Sequence, residues 1–135
     1  MLIICADDLI AIRLHASTAH PEECCGLLGG VDGRIMRGYP IPNISPTPQY
    51  KFIMEPRAQL KALSDIEKCR WELVAIYHSH PAGNRTEPSE TDLREHTYPD
   101  ALMIIIAPDI NDRWIARAFQ IVDMRPRQVP IEIHP

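Results

Sequence analysis

The sequence predicts an α/β fold in which helices pack on the faces of a β-sheet. Short apolar runs typical of buried strands alternate along the chain with segments whose apolar residues recur at helical spacing. Such interleaving is typical of a layered α/β architecture. The chain has 135 residues, of which 45% are hydrophobic and 24% are charged. This length and composition suit one hydrophobic core, so residues 1–135 are expected to form a single domain.

Charge and composition exclude several classes of protein. The formal net charge is −4 and no basic cluster occurs, so neither nucleic acid nor an anionic membrane is expected as a partner. No apolar run approaches the roughly 20 residues of a membrane-spanning helix, and the features of a signal peptide are missing. The four cysteines lack CxxC spacing, which favours free thiols in a reducing cytoplasm. A cytoplasmic protein is therefore expected.

The first half of the chain predicts a strand, a helix, a hairpin and a second helix. Asp7 or Asp8 can cap the first helix, and Pro21 cannot continue it. Asp32-Gly33 is a hairpin turn signal, and Pro56 suits the first turn of the second helix. The expected elements are strand 2–5, a helix through residue 20, strands 23–28 and 35–39, loop 40–48, short strand 50–54 and helix 55–70.

Each of these two helices carries apolar residues on one side, and we expect that side to face the sheet. On the first helix the residues are Leu9, Ile12, Ala16 and Ala19. On the second helix they are Leu60, Leu63, Ile66 and Cys69.

The second half of the chain adds strands and one short helix. Ser89 is expected as the N-cap of this helix, with Pro88 before it and Asp92 at the third helical position. Pro126 is expected in the turn before the last strand. The expected strands are 72–78, 101–107, 114–122 and 129–133.

The motif that carries chemistry is His-Ser-His-Pro at 78–81, followed after seven residues by Ser-Glu-Thr-Asp at 89–92. Residues two apart in an extended segment point the same way, so His78 and His80 project together. The intervening loop can turn back and bring Asp92 beside both imidazoles. Two neutral histidines and one carboxylate form a three-ligand zinc set whose fourth position stays open for water, as in catalytic sites.

A hydrolytic zinc site also needs a base for its water. Zinc lowers the pKa of bound water to about 7, and a nearby carboxylate can take the proton and pass it to the leaving group. Glu22 and Glu23 are the candidates, because they lead into an apolar strand. Consecutive residues of a strand face opposite ways, and spacing alone leaves the choice between them open.

These residues resemble the signature of the JAMM (JAB1/MPN/Mov34) metalloproteases. That signature is a glutamate, then His-x-His-Pro, seven residues and Ser-x-x-Asp. In the family the glutamate lies two positions after a proline, which here selects the second of the two glutamates. The similarity covers essentially the whole chain. Every position of the signature is filled, by Glu23, His78, His80, Ser89 and Asp92.

The resemblance implies a three-layer α/β sandwich of the cytidine-deaminase-like kind, with a mixed, curved β-sheet flanked by helices. It implies a zinc metallopeptidase or isopeptidase with Zn²⁺ held by His78, His80 and Asp92. Glu23 would act as the base. Ser89 would donate a hydrogen bond to the tetrahedral oxyanion, a contact whose loss typically costs about 3 kcal/mol.

The similarity extends to compact prokaryotic members that hydrolyse the C-terminal aminoacyl adduct of a sulfur-carrier protein. The implied substrate is a ubiquitin-like sulfur carrier ending in Gly-Gly, from which an amino acid such as cysteine is released, as in cysteine biosynthesis. Alternatives are an isopeptidase that removes ubiquitin-like modifiers from lysine side chains and a non-enzymatic MPN scaffold. The oligomeric state stays open. The stretches that carry this similarity are Asn43, Ser45-Pro46, Tyr50, 76–81, Pro88-Ser89, Thr91-Asp92 and 98–101.

Other reactive residues have simpler interpretations. Cys24 and Cys25 are adjacent in an apolar strand, which indicates packing rather than a thiol nucleophile. Loop 82–88, which includes Gly83 and Asn84, is expected to contact substrate. Its Arg85 is expected to be solvated, with contact to a carboxylate as the alternative. The remaining histidines are expected at the surface or at helix caps: His15, His20, His96 and His134.

Overall fold

The computed structural model describes residues 1–82 and 85–135, which form an eight-stranded sheet and three helices. The elements of the first half are β1 (Leu2–Cys5), α1 (Ala6–Ala19), β2 (Cys25–Val31), β3 (Arg34–Ile41) and α2 (Pro56–Lys68). Those of the second half are β4 (Glu72–Ser79), α3 (Glu90–Glu95), β5 (Leu102–Pro108), β6 (Trp114–Val122), β7 (Arg125–Val129) and β8 (Ile131–His134). The strand order is β7-β6-β5-β4-β2-β3-β1-β8.

Helices cover both faces of the sheet and give the molecule three layers. Leu9 and Ile12 of α1 pack in one apolar cluster with Leu28 of β2. Ala62 of α2 packs in a second cluster with Leu27, which points to the opposite face because side chains alternate along a strand. The predicted α/β fold, a mixed sheet flanked by helices, is confirmed. No helix of the described residues is both long and apolar enough to cross a membrane.

Strand β4 lies near the middle of the sheet and presents side chains to both faces. It pairs antiparallel with β2 and parallel with β5. Tyr77 packs in the cluster beneath α1, whereas Ile76 packs against the cluster beneath α2. By the same alternation His78 faces the α2 side, and His80 projects the same way. The sheet therefore directs both predicted ligands to one side.

Two of the predicted strands are wrong in detail. Residues 50–54 form a single β-bridge rather than a strand. Pro126 lies inside β7, and the preceding turn is formed by Asp123 and Met124, whose φ angles are 51° and 63°. Two residues with positive φ make the tight turn that a hairpin favours, and an edge strand such as β7 tolerates proline. The last strand consequently begins at Ile131.

The start of α1 and the buried side of α2 also differ from the prediction. Cys5 caps α1, because its Sγ accepts a hydrogen bond from the backbone N–H of Asp8 at 3.4 Å. On α2, the predicted Ile66 is buried and Leu63 packs against the core, but Ala62 takes the place expected for Leu60, which is 68% exposed. Residues 60 and 62 point to nearly opposite sides of a helix, so both cannot face the sheet. The predicted buried side of α1 is confirmed.

Gly26 of β2 is expected to tolerate no larger side chain. A Cβ at this position would lie 2.2 Å from Cε2 of Tyr77, whose ring is buried in the core. We expect Gly26→Ala to lower the free energy of unfolding by about 1–3 kcal/mol, the usual range for overpacking. Urea denaturation followed by circular dichroism measures this change.

Gly38→Ala in the adjacent strand β3 is the matched control. A Cβ there would approach Cδ2 of Leu28 at 3.3 Å, so that side chain would have to move by only a few tenths of an ångström. We expect a change of less than about 0.5 kcal/mol in the free energy of unfolding. Equal losses in the two variants would show that the Tyr77 ring is not what constrains this position.

Candidate active site

Three donor atoms converge where β4 ends. Nε2 of His78 and Nε2 of His80 lie 3.1 Å apart. Oδ2 of Asp92 lies 3.1 Å from the first of these atoms and 3.0 Å from the second. The three side chains are only 1%, 14% and 11% exposed, respectively. The structure thus brings together the residues that the motif predicts as ligands, in a cluster that can hold a metal ion.

The sheet determines the position of both histidines. His78 is held between Cys25 of β2 and Ile105 of β5 by its pairing in the ladder. The backbone N–H of His80 donates to the carbonyl of Ile106 at 2.9 Å, which extends the pairing one residue beyond β4. Both imidazoles therefore project from backbone that the sheet keeps rigid.

A helix cap determines the position of the carboxylate. Ser89 is the N-cap of α3, and its Oγ accepts a hydrogen bond from the backbone N–H of Asp92 at 3.0 Å. In return, Oδ2 of Asp92 accepts from the backbone N–H of Ser89 at 2.9 Å, which completes a capping box. The predicted start of this helix is confirmed. The oxygen that caps the helix is also the one that faces both histidines.

Neighbouring groups hold the two imidazole rings in place. Phe52 stacks on His78, with the ring centroids 4.7 Å apart. Nδ1 of His80 lies 3.0 Å from the backbone carbonyl oxygen of Arg85. A carbonyl can only accept, so Nδ1 of His80 carries a proton, and Nε2 is the ring nitrogen directed towards the cluster. Sequence reasoning missed both contacts, because neither a loop aromatic nor a backbone carbonyl produces a spacing pattern.

Burial and hydrogen bonding set the charges of the cluster. Burial raises the pKa of Asp92, but hydrogen bonds from both histidines outweigh it and hold this pKa well below its usual range. Burial lowers the pKa of His78. Burial also disfavours protonated His80, but the hydrogen bond to Asp92 outweighs this effect and raises its pKa. The cluster therefore contains an anionic carboxylate between two imidazoles.

Glu23 lies on the same cleft as the donor cluster. The cleft has a volume of about 620 Å³, and Ser89, His80 and Asp92 also line it. Glu23 is 7% exposed, and its pKa is raised to about 7, mainly by this burial; the charge of His80 opposes the rise and that of Asp92 adds to it. Glu22 is exposed. The structure thus separates the two glutamates that residue spacing leaves equivalent.

Two polar side chains fasten the backbone around Glu23. The buried Oγ of Ser79 accepts a hydrogen bond from the backbone N–H of Cys24 at 2.8 Å. Nδ2 of Asn43 donates to the carbonyl of Glu23 at 3.0 Å and to the carbonyl of Lys51 at 3.2 Å. Asn43 thereby ties the residues before β2 to the loop that carries Phe52. Residue chemistry alone did not indicate this role.

The other reactive residues lie outside the chemistry of the cleft. Burial raises the pKa of Cys24 to about 11 and that of Cys25 to about 12, which keeps both as unreactive thiols. The packing role predicted for them is confirmed. His15 is not the surface or capping residue expected, since its Nδ1 lies 2.7 Å from the hydroxyl of a buried tyrosine in β4. Gly83 and Asn84, predicted to contact substrate, lie outside the described residues.

Comparison with known proteins relates the chain to bacterial peptidases. The family described as prokaryotic homologs of the JAB domain matches residues 6–122. The CysO-cysteine peptidase of Mycobacterium tuberculosis is 33% identical over 135 residues, which cover 98% of this chain and 91% of that protein. The probable TtuB-protein conjugate cleaving protease of Thermus thermophilus is 40% identical over 83 residues, which cover 62% of this chain and 55% of that protein.

Solved structures show the same fold. A protein of Desulfitobacterium hafniense matches with a TM-score of 0.85 and 32% identity, over 99% of this chain and 93% of that one. A JAB1/MPN domain protein from Archaeoglobus fulgidus matches with a TM-score of 0.63 and 22% identity, over 98% and 97% of the two chains. The chain belongs to the family of prokaryotic JAB homologs, and it is a hydrolase of that family. The resemblance found in the sequence is confirmed.

Asp92→Asn tests whether the convergent donors hold a metal ion. Asparagine keeps the size of the side chain and an oxygen that can accept from the backbone of residue 89, but it lacks the charge. We expect wild type to bind one Zn²⁺ per chain and Asp92→Asn to bind it more than about 100-fold more weakly, since losing even a partner that merely orients a ligand costs 10–100-fold. Competition with a zinc-binding dye measures the affinity.

Glu95→Gln is the matched control for this measurement. Glu95 is an exposed carboxylate that lies on the same helix and lines the same cleft. It pairs with Lys51 at 2.9 Å instead of pointing into the donor cluster. Its amide variant should bind zinc like wild type. If both variants lost zinc affinity to the same extent, the affinity would depend only on the overall negative charge of the cleft.

Proposed function

We propose that this chain is a single catalytic domain that cleaves the amide bond after the C-terminal Gly-Gly of a ubiquitin-like sulfur-carrier protein. The reaction uses Zn²⁺ and releases an amino acid such as cysteine. The observation that carries the proposal is the convergence of His78, His80 and Asp92 beside the buried carboxyl of Glu23. The M. tuberculosis relative, which aligns over nearly the full length of both chains, is named a CysO-cysteine peptidase and supports this substrate class.

The donor set fits zinc. Zinc takes nitrogen and oxygen ligands at about 2.0–2.2 Å, so two ligands of a tetrahedral ion lie about 3.3 Å apart. The separations of 3.0–3.1 Å within the cluster are close to this value. Two imidazoles and one carboxylate leave a fourth position open. Zinc bound there would act as a Lewis acid on the scissile carbonyl and lower the pKa of water.

The position and the pKa of Glu23 suit it to transfer protons in this reaction. Its pKa of about 7 lies near the operating pH, where a carboxyl group can both accept and release a proton. Glu23 takes a proton from the attacking water and delivers it to the nitrogen of the departing amino acid. The C–N bond breaks, the carrier regains its C-terminal carboxylate, and no covalent enzyme intermediate is needed.

Ser89 supplies a hydrogen-bond donor to the same cleft. Its Oγ already accepts the backbone N–H of Asp92, which orients the hydroxyl and leaves its proton to donate. The hydroxyl is available to the oxygen of the scissile carbonyl as negative charge develops there. Donors fixed before the reaction stabilise such charge without reorganisation.

Cleavage of protein conjugates linked through lysine side chains is a second candidate. The relative from T. thermophilus, named a probable TtuB-protein conjugate cleaving protease, favours it. The same catalytic residues would serve both reactions, because only the leaving amine differs. A scaffold without activity is disfavoured by the complete donor set. The free cysteines, of which Cys24 and Cys25 are buried, support a reducing cytoplasm as the place of the reaction.

Glu23→Gln tests the proposed base. The substrate is a purified Gly-Gly-tailed carrier bearing a C-terminal cysteine, and intact mass spectrometry follows its cleavage. We expect zinc-loaded wild type to cut after the second glycine and Glu23→Gln to be at least about 100-fold slower, because general base catalysis contributes 10²–10⁴-fold. Both proteins should contain one zinc ion.

Glu22→Gln is the control for that experiment, since residue 22 is the exposed neighbour of the buried glutamate. It should cleave at the wild-type rate. A Glu23→Gln variant that kept full activity would exclude Glu23 as the base. If zinc-loaded wild type does not cleave this carrier, the amino-acid adduct is not the substrate, and the lysine-linked conjugate becomes the favoured candidate.

Two variants of Ser89 separate its role as donor from its role as helix cap. Glycine costs only a few tenths of a kcal/mol at an N-cap, whereas alanine costs about 1 kcal/mol. Neither has a hydroxyl, so we expect both to lower kcat by about 100-fold although only alanine weakens α3 measurably. Steady-state kinetics and urea denaturation of the two variants test this. Near-normal turnover by Ser89→Gly would show that Ser89 acts only as a helix cap.

A further inference from the structure

Arg85 brings a positive charge to the cleft that the proposed reaction does not use. It lines the cleft together with Glu23, His80 and Ser89. The other basic side chain of the lining, Lys51, is paired with Glu95 at 2.9 Å. Among the described residues, no carboxylate lies within ion-pair distance of Arg85. Its guanidinium is therefore available to an anionic group of a substrate.

The backbone of Arg85 is anchored to the donor cluster. Its carbonyl oxygen lies 3.0 Å from Nδ1 of His80, so the Cα of residue 85 stays close to one of the proposed zinc ligands. The side chain begins from this fixed point and lines the cleft, although it is exposed to solvent. The arginine side chain is therefore anchored at its base beside the donor cluster and faces the same cleft.

A second cavity of about 390 Å³ adjoins the cleft, and the two share Lys51, Phe52, Asp92 and Glu95. His80 lines the cleft and His78 lines the second cavity, so the two spaces lie on different sides of the donor cluster. Arg85 lines the cleft but not the second cavity. The available cation therefore lies on one side of the donor cluster, and that side suits a charged leaving group.

We propose that Arg85 binds the α-carboxylate of the amino acid that is released, and that it selects amino-acid adducts over lysine-linked conjugates. This inference rests on the proposed function. In an adduct, the carboxylate is separated from the scissile nitrogen by a single Cα, so it always lies beside the reacting bond. A lysine side chain presents only methylenes at that place. Arginine binds carboxylates with two parallel hydrogen bonds, which supplies geometry as well as charge.

The test compares two substrates that differ only in that charge: the Gly-Gly-tailed carrier ending in cysteine and the same carrier ending in cysteinamide. We expect wild type to cleave the acid with a kcat/KM about tenfold above that of the amide. Arg85→Ala should cleave the cysteine-ended carrier more slowly and the cysteinamide-ended carrier at the wild-type rate, so the preference is lost. Arg85→Lys should retain part of the preference. The zinc content should stay at one ion per chain, because the contact to His80 comes from the backbone.

Arg94→Ala is the matched control, since Arg94 is an exposed arginine on α3 that does not line the cleft. It should keep the preference for the acid. Equal slowing of both substrates by Arg85→Ala, or an unchanged preference, would overturn the role of Arg85 while the proposed function stands. If wild type cleaves neither substrate, the proposed function itself fails and the assignment of Arg85 fails with it.

Discussion

The register between β2 and β4 is the constraint on which the active site depends. Cys25 pairs with His78 in this antiparallel ladder, and Glu23 and His80 lie two positions beyond that pair, just outside the two strands. Residues two apart share a face, and all four side chains therefore point to the α2 side of the sheet. A slip of one residue would turn Glu23 to the other face. Two hydrogen bonds between Ser79 and Cys24 fix the register of the strands at this point.

The loop that covers the cleft controls how strongly Glu23 is shielded from water. Asn43 bonds to the carbonyls of Glu23 and Lys51, and its Oδ1 accepts from the backbone N–H groups of Ser45 and Ile53. One side chain thus organises the whole segment that brings Phe52 onto His78. Because burial is the main cause of the raised pKa of Glu23, the proton affinity of this carboxyl group depends on the loop as well as on the charges around it.

How much of the site can be predicted from the sequence depends on how local its geometry is. His78 and His80 follow from strand alternation, and Asp92 follows from the helix cap at Ser89, so spacing alone indicates all four. The choice of Glu23 requires the register of two strands that are distant in sequence, with Cys25 paired to His78, and residue spacing contains no such information. The family resemblance supplied it instead.

In the rest of the fold, too, the sequence predicts what depends on local pattern and fails where tertiary packing decides. The apolar pattern predicts the sheet and the buried side of α1, because burial there is continuous along the element. It fails at Leu60 and at Pro126, where the outcome depends on how a helix is rotated and on which strand lies at the edge. Phe52 and Asn43 were missed because their partners are set by tertiary packing of a loop.

The capping box has a consequence for how this site would bind a metal ion. Helix α3 has six residues, a length at which an isolated helix is unstable in water, yet Ser89 and Asp92 already close its first turn. The carboxylate is therefore oriented before any ion arrives, by bonds that an ion need not break. Little chain entropy is lost when the site is loaded, so almost the whole binding free energy adds to the stability of the folded state. A domain with such a site would fold first and bind an ion afterwards, in contrast to zinc fingers, which fold only around their ion.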